Sequence, residues 1–90
     1  MARGNYYANG TDYRADGRRY SHELARQAKT LGDARRALDA SGLAGYVQLW
    51  VERTQQRVIV CERRADGSWF KKDPHSGELV EMSPPKPREA

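Results

Sequence analysis

The sequence predicts an α+β domain in which an antiparallel β-meander of three to five strands packs against one main α-helix. Two observations lead to this prediction. The segment 45–70 contains both tryptophans, the only phenylalanine, the only cysteine and most of the β-branched residues. The alanine-rich segment before it, 30–42, has the apolar period of a short helix. The meander is therefore the part of the chain that is apolar enough to form a hydrophobic core.

The predicted helix begins after Thr30, whose side-chain oxygen can accept a hydrogen bond from the backbone N–H of Asp33. Asp33 also places a negative charge in the first turn, where the helix dipole favours it. Gly42 supplies a left-handed residue that can end the helix. One face of this helix is apolar and rich in alanine, and it consists of Leu31, Ala34, Ala37 and Leu38.

The meander is predicted to have strands at 45–53, 57–63 and 68–72, with a weaker edge strand at 78–82. Polar turn residues separate these strands, and Asp66-Gly67 is a strong two-residue turn signal. Side chains alternate between the two faces of a strand. In the first strand, one face carries Val47, Leu49 and Val51 and is expected under the helix, and the other carries Tyr46, Gln48, Trp50 and Glu52.

The region before the helix has two interpretations. Asp16-Gly17 predicts a hairpin turn, which favours a strand over residues 20–29. The spacing of Leu24, Ala28 and Leu31 fits a helix equally well. The sequence alone does not decide between these two structures.

The predicted domain boundaries follow from composition. Residues 1–12 are rich in turn formers and are assigned to a flexible N-terminal arm. Residues 13–82 form the single α+β domain. Residues 83–90 contain three prolines and several charged residues, so they are predicted to be a disordered or extended basic tail.

Composition limits the classes of protein to consider. The chain has 90 residues, of which 38% are hydrophobic and 31% are charged, so we expect one small core without a deep cavity. A single cysteine excludes an internal disulfide bond. There is no apolar run of signal-peptide or membrane-helix character, and we therefore expect a cytoplasmic protein that does not bind membranes.

The residues that carry most enzyme chemistry are few and scattered. His22 and His75 have no nucleophile at a recognised spacing, and Cys61 lies inside an apolar strand. Two histidines and one cysteine at these positions do not match a zinc-binding pattern. The sequence therefore predicts a protein without catalytic residues, metal or cofactor.

Alternation along the meander also predicts a binding surface. If the helix covers only one face of the sheet, Tyr46, Trp50 and one of Trp69 or Phe70 remain on the other face, beside arginine side chains. The alternative is a second small core, closed by Tyr13 and Tyr20. The predicted partner-binding residues are three aromatic anchors, Tyr46, Trp50 and Trp69, and four rim arginines, Arg53, Arg57, Arg63 and Arg64.

Two kinds of partner fit such a surface. Trp, Tyr and Arg dominate the energetics of many protein–protein interfaces, which favours a protein partner. The net charge of +4 and the arginine pairs also fit DNA or RNA, with bases stacking on the rings. Because acidic residues alternate with the basic ones and no nucleic-acid-binding motif is present, a protein partner is preferred.

The order of the elements also supports a comparison. A turn-rich strand region comes first, then a capped helix opening Thr-Leu-Gly-Asp-Ala-Arg-Arg-Ala, then a meander with Gly-Tyr-Val-Gln-Leu-Trp and Asp-Gly-Ser-Trp. In this layout, over residues 20–72, the chain resembles small orphan α+β proteins of phages and mobile elements, including some anti-CRISPR inhibitors of bacterial type I systems. The resemblance implies a non-enzymatic inhibitor that occupies the surface of a bacterial protein or protein complex.

One departure from those proteins bears on mechanism. Several such inhibitors are acidic and imitate DNA, whereas this chain is basic. The resemblance therefore implies an acidic patch on the partner, or action together with nucleic acid. It carries over no individual functional residues and no oligomeric state.

Overall fold

The computed structural model of the chain describes residues 4–13 and 16–87. Within these residues, six strands form one antiparallel sheet in the order β2-β1-β3-β4-β5-β6, with one helix on it. The α+β prediction is confirmed, although the sheet has more strands than the three to five expected. The elements are β1 Tyr6–Tyr13, β2 Arg19–Ala28, α1 Leu31–Ser41, β3 Ala44–Val51, β4 Gln56–Arg63, β5 Trp69–Lys72 and β6 Leu79–Met82.

The additional strand is β1. Most of the predicted flexible arm, from Tyr6 onward, forms this strand, which pairs with β2 on one side and β3 on the other. That part of the arm prediction is wrong, because pairing with a strand on each side outweighs the turn preference of these residues. At Gly10 the packing also requires a residue without a side chain. A Cβ atom on Gly10 would lie only 2.9 Å from the Leu24 side chain and 3.0 Å from the Leu43 side chain. Residues 1–3 of the predicted arm lie outside the described residues.

The ambiguous segment 20–29 belongs to a strand. β2 spans Arg19–Ala28 and is the edge strand beside β1. The predicted turn at Asp16-Gly17 precedes it, and Gly17 has the positive φ of 83° that such turns require. Pairing with β1 therefore makes this segment a strand, which the periodicity of its apolar residues could not establish.

The helix has the ends that the sequence predicts. Thr30 Oγ1 accepts the backbone N–H of Asp33 at 3.0 Å, and Gly42 takes the left-handed conformation with a φ of 71°. The helix packs on β1, β2 and β3, at one end of the sheet. The buried core lies beneath it and consists of Ala8, Ala34, Leu38, Val47, Cys61 and Trp69.

A single carboxylate connects the helix to the rest of the sheet. Asp39 Oδ1 accepts a hydrogen bond from Arg63 Nε of β4 at 3.0 Å and from Trp69 Nε1 of β5 at 3.3 Å. The guanidinium of Arg35 lies over the Trp69 ring, 4.6 Å from its centroid. We refer to Asp39, Arg63, Trp69 and Arg35 as the Asp39 cluster.

The described part of the predicted tail, 83–87, has no regular secondary structure and runs beside the helix. The carbonyl oxygen of Ser83 accepts a hydrogen bond from Arg35, and that of Lys86 accepts one from Arg36. The last residues of the tail, 88–90, lie outside the described residues.

The Asp39 cluster predicts a specific loss of stability. Replacing Asp39 by Ala removes two hydrogen bonds and leaves the Arg63 guanidinium, whose side chain is only 10% exposed, without its carboxylate. We expect Asp39→Ala to lower the free energy of unfolding by about 2–3 kcal/mol, measured by urea denaturation. Asp39→Asn retains an acceptor and should lose less. A loss below about 0.5 kcal/mol for Asp39→Ala, which is typical of ordinary surface positions, would contradict this role.

Candidate binding surface on the open face of the sheet

The pairing register assigns each side chain to one of two faces. Val47 is paired with Ala8 and Cys61, and these three side chains lie beneath the helix. Residues one position away therefore point to the opposite side, which we call the open face. No element of the described chain packs over it. The open face carries Tyr7 and Asn9 of β1, Tyr46, Gln48 and Trp50 of β3, Arg57, Ile59 and Glu62 of β4, and Phe70 of β5.

An irregularity in β4 sets which of its residues reach the open face. Val47 pairs with Cys61, but the next residue, Gln48, pairs with Ile59, so Val60 is an extra residue in β4. Such a bulge reverses the alternation of side chains along the strand. Cys61 therefore points into the core, while Ile59, two positions earlier, lies on the open face and is 60% exposed.

The best-defined part of the open face surrounds Trp50. The guanidinium of Arg57 lies 3.8 Å above the centroid of the Tyr7 ring, and Arg57 is paired with Trp50 across β3 and β4. The half-buried indole of Trp50 donates its Nε1–H to Glu52 at 2.8 Å. This hydrogen bond, followed by one from Gln55, lowers the pKa of the Glu52 carboxyl.

A shallow cavity of about 350 Å³ opens beside these residues. Its lining includes Gln27, whose φ of 54° places a residue other than glycine in the left-handed region. The cavity is large enough for one side chain of a partner. It is lined by Gly4, Asn5, Tyr7, Gln27, Trp50, Glu52 and Arg57.

A second arginine lies on a ring at the β5 side of the open face. The guanidinium of Arg64 is 4.0 Å from the centroid of Phe70. Among the described residues, neither Arg64 nor Arg57 has an acidic side chain within ion-pair distance. Both arginines therefore hold flat guanidinium groups against rings and keep their N–H donors available to carboxylates or phosphates.

Most predicted site residues lie where the sequence places them. Tyr46, Trp50 and Arg57 are on the open face, and Arg64 borders it. Arg53 is exposed in the turn between β3 and β4. These residues extend from the centre of the open face to its rim.

Two predicted site residues are wrong. Trp69 is fully buried beneath the helix, because pairing with Arg63 places its side chain on the helix side. Arg63 is on the same side, where it bonds to Asp39 and to the carbonyl of Leu43 at 3.1 Å. Both residues hold the fold together, and Phe70 takes the place on the open face that the sequence analysis gave to Trp69.

The proposed second core is also wrong. Tyr13 is 65% exposed and Tyr20 is 38% exposed, and they belong to β1 and β2 instead of closing over the open face. Tyr7 is the open-face residue that the sequence analysis missed. The alternation of Tyr7, Asn9 and Thr11 with Tyr6, Ala8 and Gly10 could have revealed it, but the turn formers in this segment concealed the pattern.

The thiol of Cys61 is buried in the core. Burial raises the pKa of the Cys61 thiol from 9.0 to about 11, so this thiol is protonated at neutral pH. Within residues 4–13 and 16–87, no three His, Cys, Asp or Glu side chains form a group that could hold a metal ion. The helix in those residues is too short and too polar to span a bilayer.

Comparison with protein-family models, with curated proteins and with solved structures finds no match to this chain. The resemblance to phage and mobile-element proteins therefore stays a prediction.

The buried thiol gives a testable dependence on pH. In the unfolded chain Cys61 ionises near its ordinary pKa of 9.0, whereas in the folded chain it ionises near 11. The unfolded state therefore loses its proton first, and stability falls as pH rises between these values, by up to about 1.4 kcal/mol per pH unit. Urea denaturation at pH 8–11 should show this slope, and Cys61→Ala should lack the cysteine contribution. Equal slopes for the two proteins would contradict the burial of the thiol.

Proposed function

We propose that this chain is a non-enzymatic binding protein that docks a protein partner on the open face of its sheet. The observation that supports the proposal is the uncovered state of this face within the described residues. It carries one half-buried tryptophan, three further aromatic residues, and two arginines that form no ion pair with any described residue. Aromatic and arginine side chains of this kind supply most of the binding energy in many protein interfaces.

The arrangement of the arginines indicates the chemistry of the partner. Arg57 and Arg64 are held against Tyr7 and Phe70, so they lose little conformational freedom when a carboxylate binds. A partner that places Asp or Glu side chains above these two positions would form charge-assisted hydrogen bonds with both. The cavity that Trp50 and Arg57 line would receive a further side chain of the partner.

The distribution of charge favours a protein over nucleic acid. Three acidic residues, Glu23, Glu62 and Glu81, are paired with open-face residues and so share that face with the arginines. A phosphate backbone would meet these carboxylates, whereas a protein surface can match a pattern of mixed charge. Tyr7 is also only 8% exposed beneath Arg57, so its ring is not available to stack on a base.

Nucleic acid is the second candidate, since the chain has a net charge of +4 and the guanidinium groups could bind phosphates. A more specific form of the first proposal is an inhibitor of a bacterial protein complex, acting in the cytoplasm. That form rests on the sequence resemblance alone.

Site-specific photocrosslinking in cells that produce the chain tests the proposal. A photoreactive phenylalanine analogue at Gln48, in the centre of the open face, should form a discrete protein adduct. The same analogue at Ala40, exposed on the helix, should not. Adding Arg57→Ala and Arg64→Ala should abolish the adduct. Arg18→Ala with Lys29→Ala removes the same charge at exposed positions elsewhere and serves as the matched control.

The outcomes separate the two candidates. An adduct that is digested by nuclease would support nucleic acid as the partner. A titration with oligonucleotides should then show micromolar binding that weakens steeply as the salt concentration rises. Absence of an adduct at position 48, or equal adducts at 48 and 40, would overturn the use of this face. Arg57→Lys should weaken the protein adduct although it keeps the charge, because lysine lacks the planar group that stacks on Tyr7.

A further inference from the structure

The pairing between β4 and β5 ends early. Only Glu62 with Phe70 and Arg63 with Trp69 are paired, although β4 begins at Gln56 and β5 continues to Lys72. Continuing the same register would place Lys71 opposite Cys61 and Lys72 opposite Val60. The ladder stops at the bulge, where the extra residue bends β4 away from its neighbour. The first half of β4 therefore has an edge without a partner strand in the described chain.

The backbone groups on this edge can be assigned. The N–H of Trp50 donates to the carbonyl of Asn5 at 2.8 Å, so the polar groups of Trp50 point toward β1 and away from β4. Arg57, opposite Trp50, is thus in a non-hydrogen-bonded pair with β3, and its own N–H and C=O point outward. Because the direction alternates, those of Ile59 also point outward, while those of Val58 bond to β3.

Aliphatic side chains flank this edge on both faces of the sheet. Ile59 and Leu79 lie on the open face and are 60% and 51% exposed. Val58 and Val80 lie on the helix side, beyond the three strands that the helix contacts, and are 42% and 41% exposed. A cleft of about 350 Å³ separates Ile59 of β4 from Leu79 and Phe70. A strand on this edge would find apolar contacts on both of its faces.

The charge around the cleft is mainly positive. Lys71 and Lys72 are exposed along its β5 wall and form no ion pair with the described residues. Arg57 lies at the start of the free edge, and Glu62, at the closed end, is the one acidic residue among the described residues that line the cleft. This charge complements a segment with carboxylates between its apolar side chains.

The two outer edges of the sheet are less suited to this role. β2 presents exposed charged and polar residues such as Arg19, His22 and Glu23, which discourage pairing. β6 has only four residues and is followed by Pro84 and Pro85. The inner edge of β4 combines free backbone groups and apolar flanks with two nearby lysines of β5 that have no ion pair in the described part of the chain.

We propose that the free edge of β4, at Arg57 and Ile59, accepts an extended acidic–aliphatic peptide segment of a partner protein as an added strand. Backbone hydrogen bonds to Arg57 and Ile59 hold the segment, and the cleft receives one of its aliphatic side chains. The carboxylates of the segment approach Lys71 and Lys72. This proposal is independent of docking on the open face, because it depends on backbone groups at the strand edge.

Residue-resolved amide hydrogen exchange by NMR tests it. The probe is an eight-residue peptide of alternating valine and glutamate, blocked at both ends. Without peptide, the amides of Arg57 and Ile59 should exchange faster than that of Val58. With peptide, the first two should become protected and Val58 should change little. A peptide with the same side chains but an N-methyl group on every backbone amide should bind at least about ten-fold more weakly.

Two variants and a second peptide complete the test. Ile59→Pro removes the outward N–H without removing a hydrogen bond to β3, and it should abolish binding. Ile59→Ala keeps the N–H and should only weaken binding. Circular dichroism shows whether Ile59→Pro folds. If it does not fold, the affinity of the N-methylated peptide for the wild-type chain tests whether backbone hydrogen bonds hold the segment. A valine–lysine peptide should bind more weakly than the glutamate peptide.

Other results would overturn the proposal. Unchanged exchange at Arg57 and Ile59, or equal binding of the N-methylated peptide, would exclude strand addition at this edge. Protection of amides of β2 or β6 instead would place the acceptor edge elsewhere. The amides of Arg57 and Ile59 could instead become more protected as protein concentration rises in the absence of peptide. That result would identify a second copy of this chain as the occupant of the edge.

Discussion

The fold depends on one geometric constraint, which is that a single short helix must cover a wide sheet. Six strands about 4.8 Å apart make a sheet roughly 24 Å wide, whereas a helix of this length is about 16 Å long and about 10 Å across. The helix accordingly packs on β1, β2 and β3 on one face only. The other face, and on the helix side the positions of Val58 and Val80, stay uncovered by any element in the part of the chain that the structure describes.

The Asp39 cluster compensates for this limited reach. One carboxylate near the end of the helix binds both Arg63 and Trp69, so it ties β4 and β5 to a helix that packs mainly on the other three strands. On the open face, Arg57 and Arg64 cover much of the apolar surface of Tyr7 and Phe70 with their guanidinium groups. The same stacking leaves their donors directed toward solvent. The contacts that shield these rings therefore also hold the donors that we propose to bind a partner.

Local signals in the sequence were sufficient for the helix and for four of the strands. The cap at Thr30, the glycine at 42 and the turns of the meander depend on neighbouring residues, and the structure reproduces them within one or two residues. β1 was missed because its residues prefer turns, and only pairing on both sides makes it a strand. Periodicity likewise could not decide whether residues 20–29 are strand or helix, because the deciding partner was β1.

The candidate site was predictable only where alternation is unbroken. Tyr46 and Trp50 belong to a regular strand, so their face followed from the parity of Val47. Trp69 and Phe70 are adjacent, and the sequence contained no signal to tell which of them points inward. That choice is made by pairing with Arg63 and by the Asp39 carboxylate, which lies about thirty residues away in the sequence. The bulge at Val60 and the free edge that it creates are also long-range consequences of pairing.

The two faces of this sheet differ in exposure, and Trp50 and Trp69 lie on opposite sides of it. NMR of the chain with a soluble paramagnetic agent measures this directly, because signals weaken in proportion to their access to solvent. We expect strong attenuation of the Trp50 indole N–H and the Ile59 methyl groups, with little effect on the Trp69 indole N–H and the Val47 methyl groups. Equal protection of the two indole N–H signals would show that the two tryptophans do not differ in exposure.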